Sequence, residues 1–158
     1  MTPPVLSITR TFDTPRETVF SARTTADSVK QRRSPKWFTC PAANIELRVG
    51  GTCHTCMRSP EGKEFRSIGT YQEIVRPEHI VITDSFADEN GNIVPASHYG
   101  MASDYPFELL VKVNFKEQGW KTTMTLEHIG LPESQMEPCK EGWNQLFDKL
   151  EAYFQKTT

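Results

Sequence analysis

Residues 133–156 read ESQMEPCKEGWNQLFDKLEAYFQK, and the apolar spacing in this stretch decides how the rest of the chain has to fold. Trp143, Leu146, Phe147, Leu150, Tyr153 and Phe154 recur at steps of three and four, the period that lines one face of a helix. Lys140, Glu141, Gln145, Asp148, Lys149 and Glu151 fill the remaining positions. The spacing predicts a single amphipathic helix about 35 Å long, at roughly 1.5 Å per residue. Its apolar stripe has to be buried against something comparably broad.

A chain of 158 residues suits one domain, 1–158, with a core of its own. The 18 Lys plus Arg and 20 Asp plus Glu nearly cancel, and no long run of either sign occurs. Neither a nucleic-acid groove nor a polybasic membrane anchor is therefore indicated. Residues 1–7 lack the basic start and apolar centre of a signal peptide, and no apolar run approaches the roughly 20 residues needed to span a bilayer. The expectation is a soluble, cytoplasmic protein, monomeric or homodimeric.

Four cysteines are too few for a disulfide scaffold in a chain of this length, and a cytoplasmic chain keeps them reduced. Cys53-His54-Thr55-Cys56 has C-x-x-C spacing but lies in a stretch of strand character. Residues three apart on a strand face opposite sides and do not converge on one ion. The redox form of the motif needs a helix N-terminus after a strand, which is absent. No metal and no cofactor is expected, and Cys40 and Cys139 read as small apolar residues.

Residues 5–12 alternate as a first strand. Thr14-Pro15-Arg16-Glu17 then has the composition of a capping box with proline at the first helical position, opening a short helix through Val19, Phe20 and Arg23 to about Thr24. A second short helix, capped by Thr24 or Thr25, runs to about Arg33, and Ser34-Pro35 ends it. Beyond Trp37, Phe38 and Pro41 the period becomes two. Ile45, Leu47 and Val49 alternate with Glu46 and Arg48, and Gly50-Gly51 bends the chain into a strand over 52–58. Pro60-Glu61-Gly62-Lys63 turns into a strand over 64–75 with a bulge expected at Gly69, and Arg76-Pro77-Glu78 turns into a strand over 80–86. Phe107, Leu109, Val111, Val113 and Phe115 alternate most cleanly, and Glu117-Gln118-Gly119 joins them to a last strand over 120–129. Short connections between neighbours make the sheet antiparallel.

Residues 87–106 break this rhythm. A stretch of that length without periodicity is long for a connection in a compact domain. It begins with a turn, Asp88-Glu89-Asn90-Gly91-Asn92, but Ile93, Val94, His98, Tyr99, Met101 and Tyr105 make it too apolar for a free linker, so it reads as a folded lid. The element order is strand, two short helices, six antiparallel strands and a long helix. That order implies an α+β helix-grip fold: a curved antiparallel sheet of six to seven strands with the long C-terminal helix packed across it. The space between helix and sheet is the natural ligand site.

The same residues resemble a known family, the relatives of the activator of the 90-kDa heat-shock protein ATPase, within the START-like (SRPBCC, Bet v 1-like) helix-grip superfamily. The resembling segments are Thr9-Arg10-Thr11-Phe12 with Pro15 and Val19-Phe20, Glu46-Leu47-Arg48-Val49-Gly50-Gly51, and Met57-Arg58-Ser59-Pro60-Glu61-Gly62. Gly69-Thr70-Tyr71, Gly130-Leu131-Pro132, and Gly142-Trp143 with Leu146, Leu150 and Tyr153 complete them. Two departures stand out: Arg32 and Arg33 occupy positions where the family often has tryptophans, and Glu46 stands where it usually has aspartate. Two arginines in place of large aromatic area alter any pocket wall carried over at that place and suggest anion binding as an alternative.

No glycine-rich phosphate loop, H-E-x-x-H or G-x-S-x-G is present, and no catalytic constellation is legible, so the reading leans away from an enzyme. His54, His79, His98 and His128 are scattered and read as solvated or core-satisfied. Asp84 is the oddest carboxylate, set in a strand otherwise apolar and hydroxyl-bearing. Turned inward, its charge must be paired and marks a functional position; on an edge strand it is an ordinary surface acid. Alternation turns Ile45, Leu47, Val49, Met57, Phe107, Leu109, Val111, Val113, Met124 and Leu126 toward the helix. The cavity wall or lid is expected from Trp37, Phe38, Met57, Tyr71, Asp84, Tyr99, Met101, Leu109, Val111, Met124 and Trp143. The expected partner is an apolar small molecule, as the START-like resemblance implies. The alternative is a surface module that contacts a chaperone or another protein.

Overall fold

Seven strands form one curved antiparallel sheet in the computed structural model, which describes residues 4–32, 36–101 and 105–156. The elements are β1 (Val5–Phe12), α1 (Arg16–Thr24), α2 (Ala26–Arg32), β2 (Thr39–Ile45), β3 (Thr52–Arg58), β4 (Glu64–Val75), β5 (His79–Ala87), β6 (Leu109–Gln118), β7 (Lys121–Ile129) and α3 (Met136–Lys156). A 3-10 turn at Ala96–Tyr99 lies between β5 and β6, and another at Glu133–Gln135 leads into α3. The sheet order is β1-β7-β6-β5-β4-β3-β2, so the two short helices carry the chain from one edge strand to the other.

The helix predicted from its spacing is present and does what the spacing requires. Trp143, Leu146, Phe147, Leu150 and Phe154 are buried with Leu109, Val111, Val113, Phe115, Met124 and Leu126 of the sheet in one core. Full burial of each such side chain contributes about 1.5–3 kcal/mol. Edge-on ring pairs, Phe12 with Phe154 at 5.6 Å and Phe20 with Phe115 at 5.4 Å, seat α3 on β1 and α1 on β6. A smaller cluster of Val29, Cys40 and Ala43 fastens α2 to β2.

Register shifts interrupt β2 between Thr39 and Ala42 and β4 between Tyr71 and Glu73, and such bulges bend and twist a sheet. The bulge expected at Gly69 thus falls three residues later. Gly69 answers to a different constraint: a Cβ there would lie 2.2 Å from the Thr83 carbonyl oxygen, so only glycine lets β4 approach β5 so closely.

Other local expectations change too. The second strand is Thr39–Ile45, while residues 46–51 form a tight turn in which Arg48 N–H donates to Glu46 O and Gly51 N–H to Arg48 O. Val49 is 62% exposed as a result, whereas Leu47 still packs partly on the core. Phe107 continues the β6 alternation in sequence but precedes the ladder and is 61% exposed. Helix α1 begins at Arg16, with Pro15 at the cap and no side-chain capping bond. Buried Thr14 instead offers its carbonyl to Thr122 Oγ1 at 2.7 Å, and Glu17 pairs with Arg76 at 2.8 Å.

Candidate functional site

Toward its C-terminal end α3 carries Phe147, Leu150 and Phe154, which fill the space above the sheet; nearer its start it carries Cys139 and Gly142, which do not. A cavity of about 360 Å³ results. Its floor is the concave face of the sheet: Thr55 and Met57 of β3, Phe65 and Ser67 of β4, Asp84 and Phe86 of β5, Leu109 of β6 and His128 of β7. Ladder register places these side by side, Thr55 opposite Ser67, Met57 opposite Phe65 and Asp84 opposite Leu109. The roof is Pro138, Cys139, Gly142, Trp143 and Leu146 of α3. A Cβ at Gly142 would meet nothing within 4 Å.

One side is closed by the irregular chain between β5 and β6, through Met101, Tyr105 and Pro106. Tyr105 stacks edge-on against Phe86 at 5.6 Å, and its hydroxyl donates to Gln135 Oε1 at 3.3 Å and lies 3.9 Å from Cys139 Sγ. Asp88 shapes the start of this segment by accepting the backbone N–H groups of Asn90 and Asn92, each at 2.9 Å. Those bonds hold its carboxyl below the usual range. Phe38 closes another side and packs on Phe65 at 6.3 Å. The chain there is tied to α3 by Lys149 Nζ, which donates to Phe38 O at 3.0 Å, and by Lys36 N–H, which donates to Gln145 Oε1 at 2.9 Å. Partial burial lowers the pKa of Lys149.

The polar part of the cavity is concentrated. Trp143 Nε1–H donates to His128 Nδ1 at 3.1 Å, and His128 Nε2 lies 3.0 Å from Asp84 Oδ2. An indole N–H only donates, so Nδ1 is the acceptor and the imidazole proton sits on Nε2, directed at the Asp84 carboxylate. The three groups form a chain from the roof, through β7, to the floor. Thr55 and Ser67 hydroxyls pair with each other at 3.0 Å at a second polar point. Cys139 completes the wall; burial pushes its thiol up, the Tyr105 bond pulls the other way, and the Asp84 charge adds to the rise.

Residues 13–155 match the profile of the family described as Activator of Hsp90 ATPase homolog 1-like protein, AHSA1. The chain belongs to this family. No curated protein matches it in sequence. Solved structures similar to this AHSA1-like chain include a protein of Chromobacterium violaceum, 22% identical, with a TM-score of 0.79 over 94% of this chain and 95% of that one. The AHSA1 protein of Silicibacter pomeroyi is 19% identical, with a TM-score of 0.79 over 98% of this chain and 100% of that one. A solution structure of an Arthrobacter aurescens protein is 22% identical, with a TM-score of 0.81 over 96% of this chain and 86% of that one. At such identities the likeness establishes the helix-grip fold alone.

Of the residues expected on the wall of this AHSA1-like chain, Phe38, Met57, Asp84, Met101, Leu109 and Trp143 border the cavity. Tyr71, Val111 and Met124 are buried in the packed core instead and do not line it. Tyr99 lies behind the wall, where its hydroxyl donates to Ala87 O and accepts Arg66 N–H, clamping the segment to β4 and β5. Trp37 is 75% exposed and stands apart from the cavity, with positive φ and Lys36 over its ring. Arg33 lies outside the described residues, as does the Arg32 side chain, so the anion-binding alternative at that pair falls there. Among the wall residues that were not expected there, His128 carries the polar chain; read as a solvated or core-satisfied histidine, it shares the parity of Met124 and Leu126, both read as facing inward.

Cys53 packs in the main core, while Cys56, three residues on, has Arg58, Glu64 and Arg66 as its charged neighbours. Among the described residues no group of three or more His, Cys, Asp or Glu is placed to hold a metal ion, and no helix is long and apolar enough to cross a membrane.

Proposed function

We propose that the chain binds an apolar small molecule in the cavity between α3 and the sheet. The observation that carries this reading is a space of about 360 Å³ walled by Phe38, Met57, Phe65, Phe86, Met101, Leu109 and Trp143. Ligand sites in general occupy roughly 300–1,000 Å³ and combine apolar walls with a few convergent polar groups. Methionines at 57 and 101 suit a wall that repacks around ligands of different shape. Both ring nitrogens of His128 are engaged inside the protein, by Trp143 and Asp84, so the histidine supports the wall and does not face a bound molecule as a general base. That favours binding over catalysis. The test is fluorescence titration with an apolar dye, followed by displacement with small aromatic hydrocarbons. Saturable binding at one site per chain is expected; no saturable binding overturns the reading.

A second reading, contact with a chaperone, draws on the family description and on the exposure of Trp37, Phe107 and Trp120. A single exposed aromatic side chain can anchor a protein contact. Purified 90-kDa chaperone should then bind the chain and lose affinity for Trp37→Ala; absence of binding removes this reading.

A further inference from the structure

We infer that the outer edge of β1 is a dimer interface, on which a second copy of this chain pairs its own β1 antiparallel about a two-fold axis. The sheet ends on two edge strands, β1 and β2, and the sequence equips them differently. Strand β2 carries Pro41, which has no N–H to offer, and its register shifts between Thr39 and Ala42. Helix α2 also packs against it through Val29, Cys40 and Ala43. Such devices keep an edge from pairing with another chain. Strand β1 has none of them. Residues Val5–Phe12 hold an unbroken register with β7, contain no proline or glycine, and carry one charged side chain. That side chain, Arg10, is turned onto α3, where it meets Asp148 at 2.7 Å and lies over the Phe147 ring at 5.6 Å. Among the described residues β7 is the only strand paired with β1, so alternate residues of β1 direct N–H and C=O groups outward for a partner strand.

The side chains of β1 fit a copy of the same strand. Ser7, Thr9 and Thr11 are exposed, and the last two already pair their hydroxyls with β7, Thr9 with Thr125 at 3.2 Å and Thr11 with Thr123 at 2.9 Å. A two-fold axis at Thr9 sets Thr9 opposite Thr9 of the second copy and Ser7 opposite its Thr11, which continues the hydroxyl rows across the seam. On the other face the same register sets Leu6 opposite Phe12 of the second copy and Ile8 opposite its Arg10, so no like charges meet. An axis at Arg10 would oppose two guanidinium groups, and one at Ile8 would set Val5 against Thr11 and break the threonine row. Rungs from residue 6 to residue 12, at about 3.4 Å each, make a seam roughly 20 Å long; that is small for a stable interface, so the dimer is weak and dissociates on dilution. No β1 residue lines the cavity, and the inference stands apart from the cavity-binding reading.

Sedimentation velocity on the full chain, from micromolar to millimolar concentration, tests this. The expected result is a reversible rise of the average mass from one chain toward two. Thr9→Lys sets two like charges on the axis and should hold the chain at one-chain mass throughout. Gln72→Lys makes the same change of charge at an exposed position of β4 and should dimerise as the parent does. Cysteine substitution reads the register and carries the test should Thr9→Lys fail to fold. Opposed residues on paired strands have Cα atoms about 4.5–5.5 Å apart, within disulfide reach, so Thr9→Cys should cross-link under mild oxidation. Ser7→Cys, roughly 14 Å from its copy in this register, should not, and neither should the parent. One-chain mass at every concentration overturns the inference. So does a dimer that survives Thr9→Lys, a dimer lost equally in Gln72→Lys, or a Ser7→Cys chain that cross-links as fast as Thr9→Cys.

Discussion

Filling the cavity from its roof separates a ligand site from a mere packing defect. Gly142 lies within α3, borders the space, and would place a Cβ with no neighbour within 4 Å. Gly142→Ala removes the excess backbone freedom of glycine in the unfolded chain and should raise stability by about 0.5–1 kcal/mol. Gly142→Leu adds to that gain a leucine side chain turned into apolar space, worth about 1.5–3 kcal/mol if fully buried. The two contributions sum to at most about 2–4 kcal/mol. For a chain of this size each kcal/mol moves Tm by about 2–4 °C, so the Leu variant should melt several degrees higher. Chemical and thermal unfolding read the stability; dye titration reads the site. The Ala variant should bind within about twofold of the parent, and the Leu variant should lose binding while gaining stability. A Leu variant that binds as the parent does would place the ligand elsewhere. One destabilised by about 1–3 kcal/mol would mean that the space is too small for the side chain and the cavity is overpacked.

Trp143→Ala removes a buried aromatic and leaves His128 Nδ1 without its donor, so it should cost about 3–5 kcal/mol in denaturant unfolding; a change near zero would show that the seam between α3 and the sheet has been misjudged. Glu64, paired with Arg58, and Asp88, capped by Asn92 and Asn90, both have pKa values below the usual carboxylate range. Lowered folded-state values contribute stability that is present above that range and lost as pH falls through it, so the acid decline in Tm should be shallower in the Glu64→Gln, Asp88→Asn double variant; identical slopes would contradict the assignment. Cys139 has a raised pKa and faces the cavity, so its alkylation by iodoacetamide at pH near 8 should be slower than that of a free thiol and slower still with dye bound. A rate insensitive to the dye would take Cys139 out of the site.

Long periodic stretches made much of this legible. Six apolar residues at helical spacing define α3, and clean alternation in β6 and β7 fixes which faces are buried. The strand Thr39–Ile45 was not legible because Pro41, Ala42, Ala43 and Asn44 carry no alternation, whereas Leu47 and Val49 carry alternation in a turn. Periodicity reports parity, not where a ladder begins or ends, and Phe107 is misread for the same reason. Within the site, Leu109 borders the cavity while Val111, two residues on and on the same face, is core. Apolar composition does not distinguish them, because the difference lies in the small residues Cys139 and Gly142 overhead. Asp84 drew notice as an acid in an apolar strand, but its link to His128 bridges β5 and β7 over the intervening β6, 44 residues apart, and no spacing rule encodes such a pairing.

The most direct measurement of whether the cavity takes an apolar ligand is a methionine-methyl NMR titration with butylbenzene. Met57 and Met101 border the cavity, whereas Met124 is fully buried in the core and does not. Saturable shifts of the Met57 and Met101 methyls, with Met124 nearly still, are the predicted result; an unmoved Met57 and Met101 at saturating probe would contradict a ligand site between α3 and the sheet.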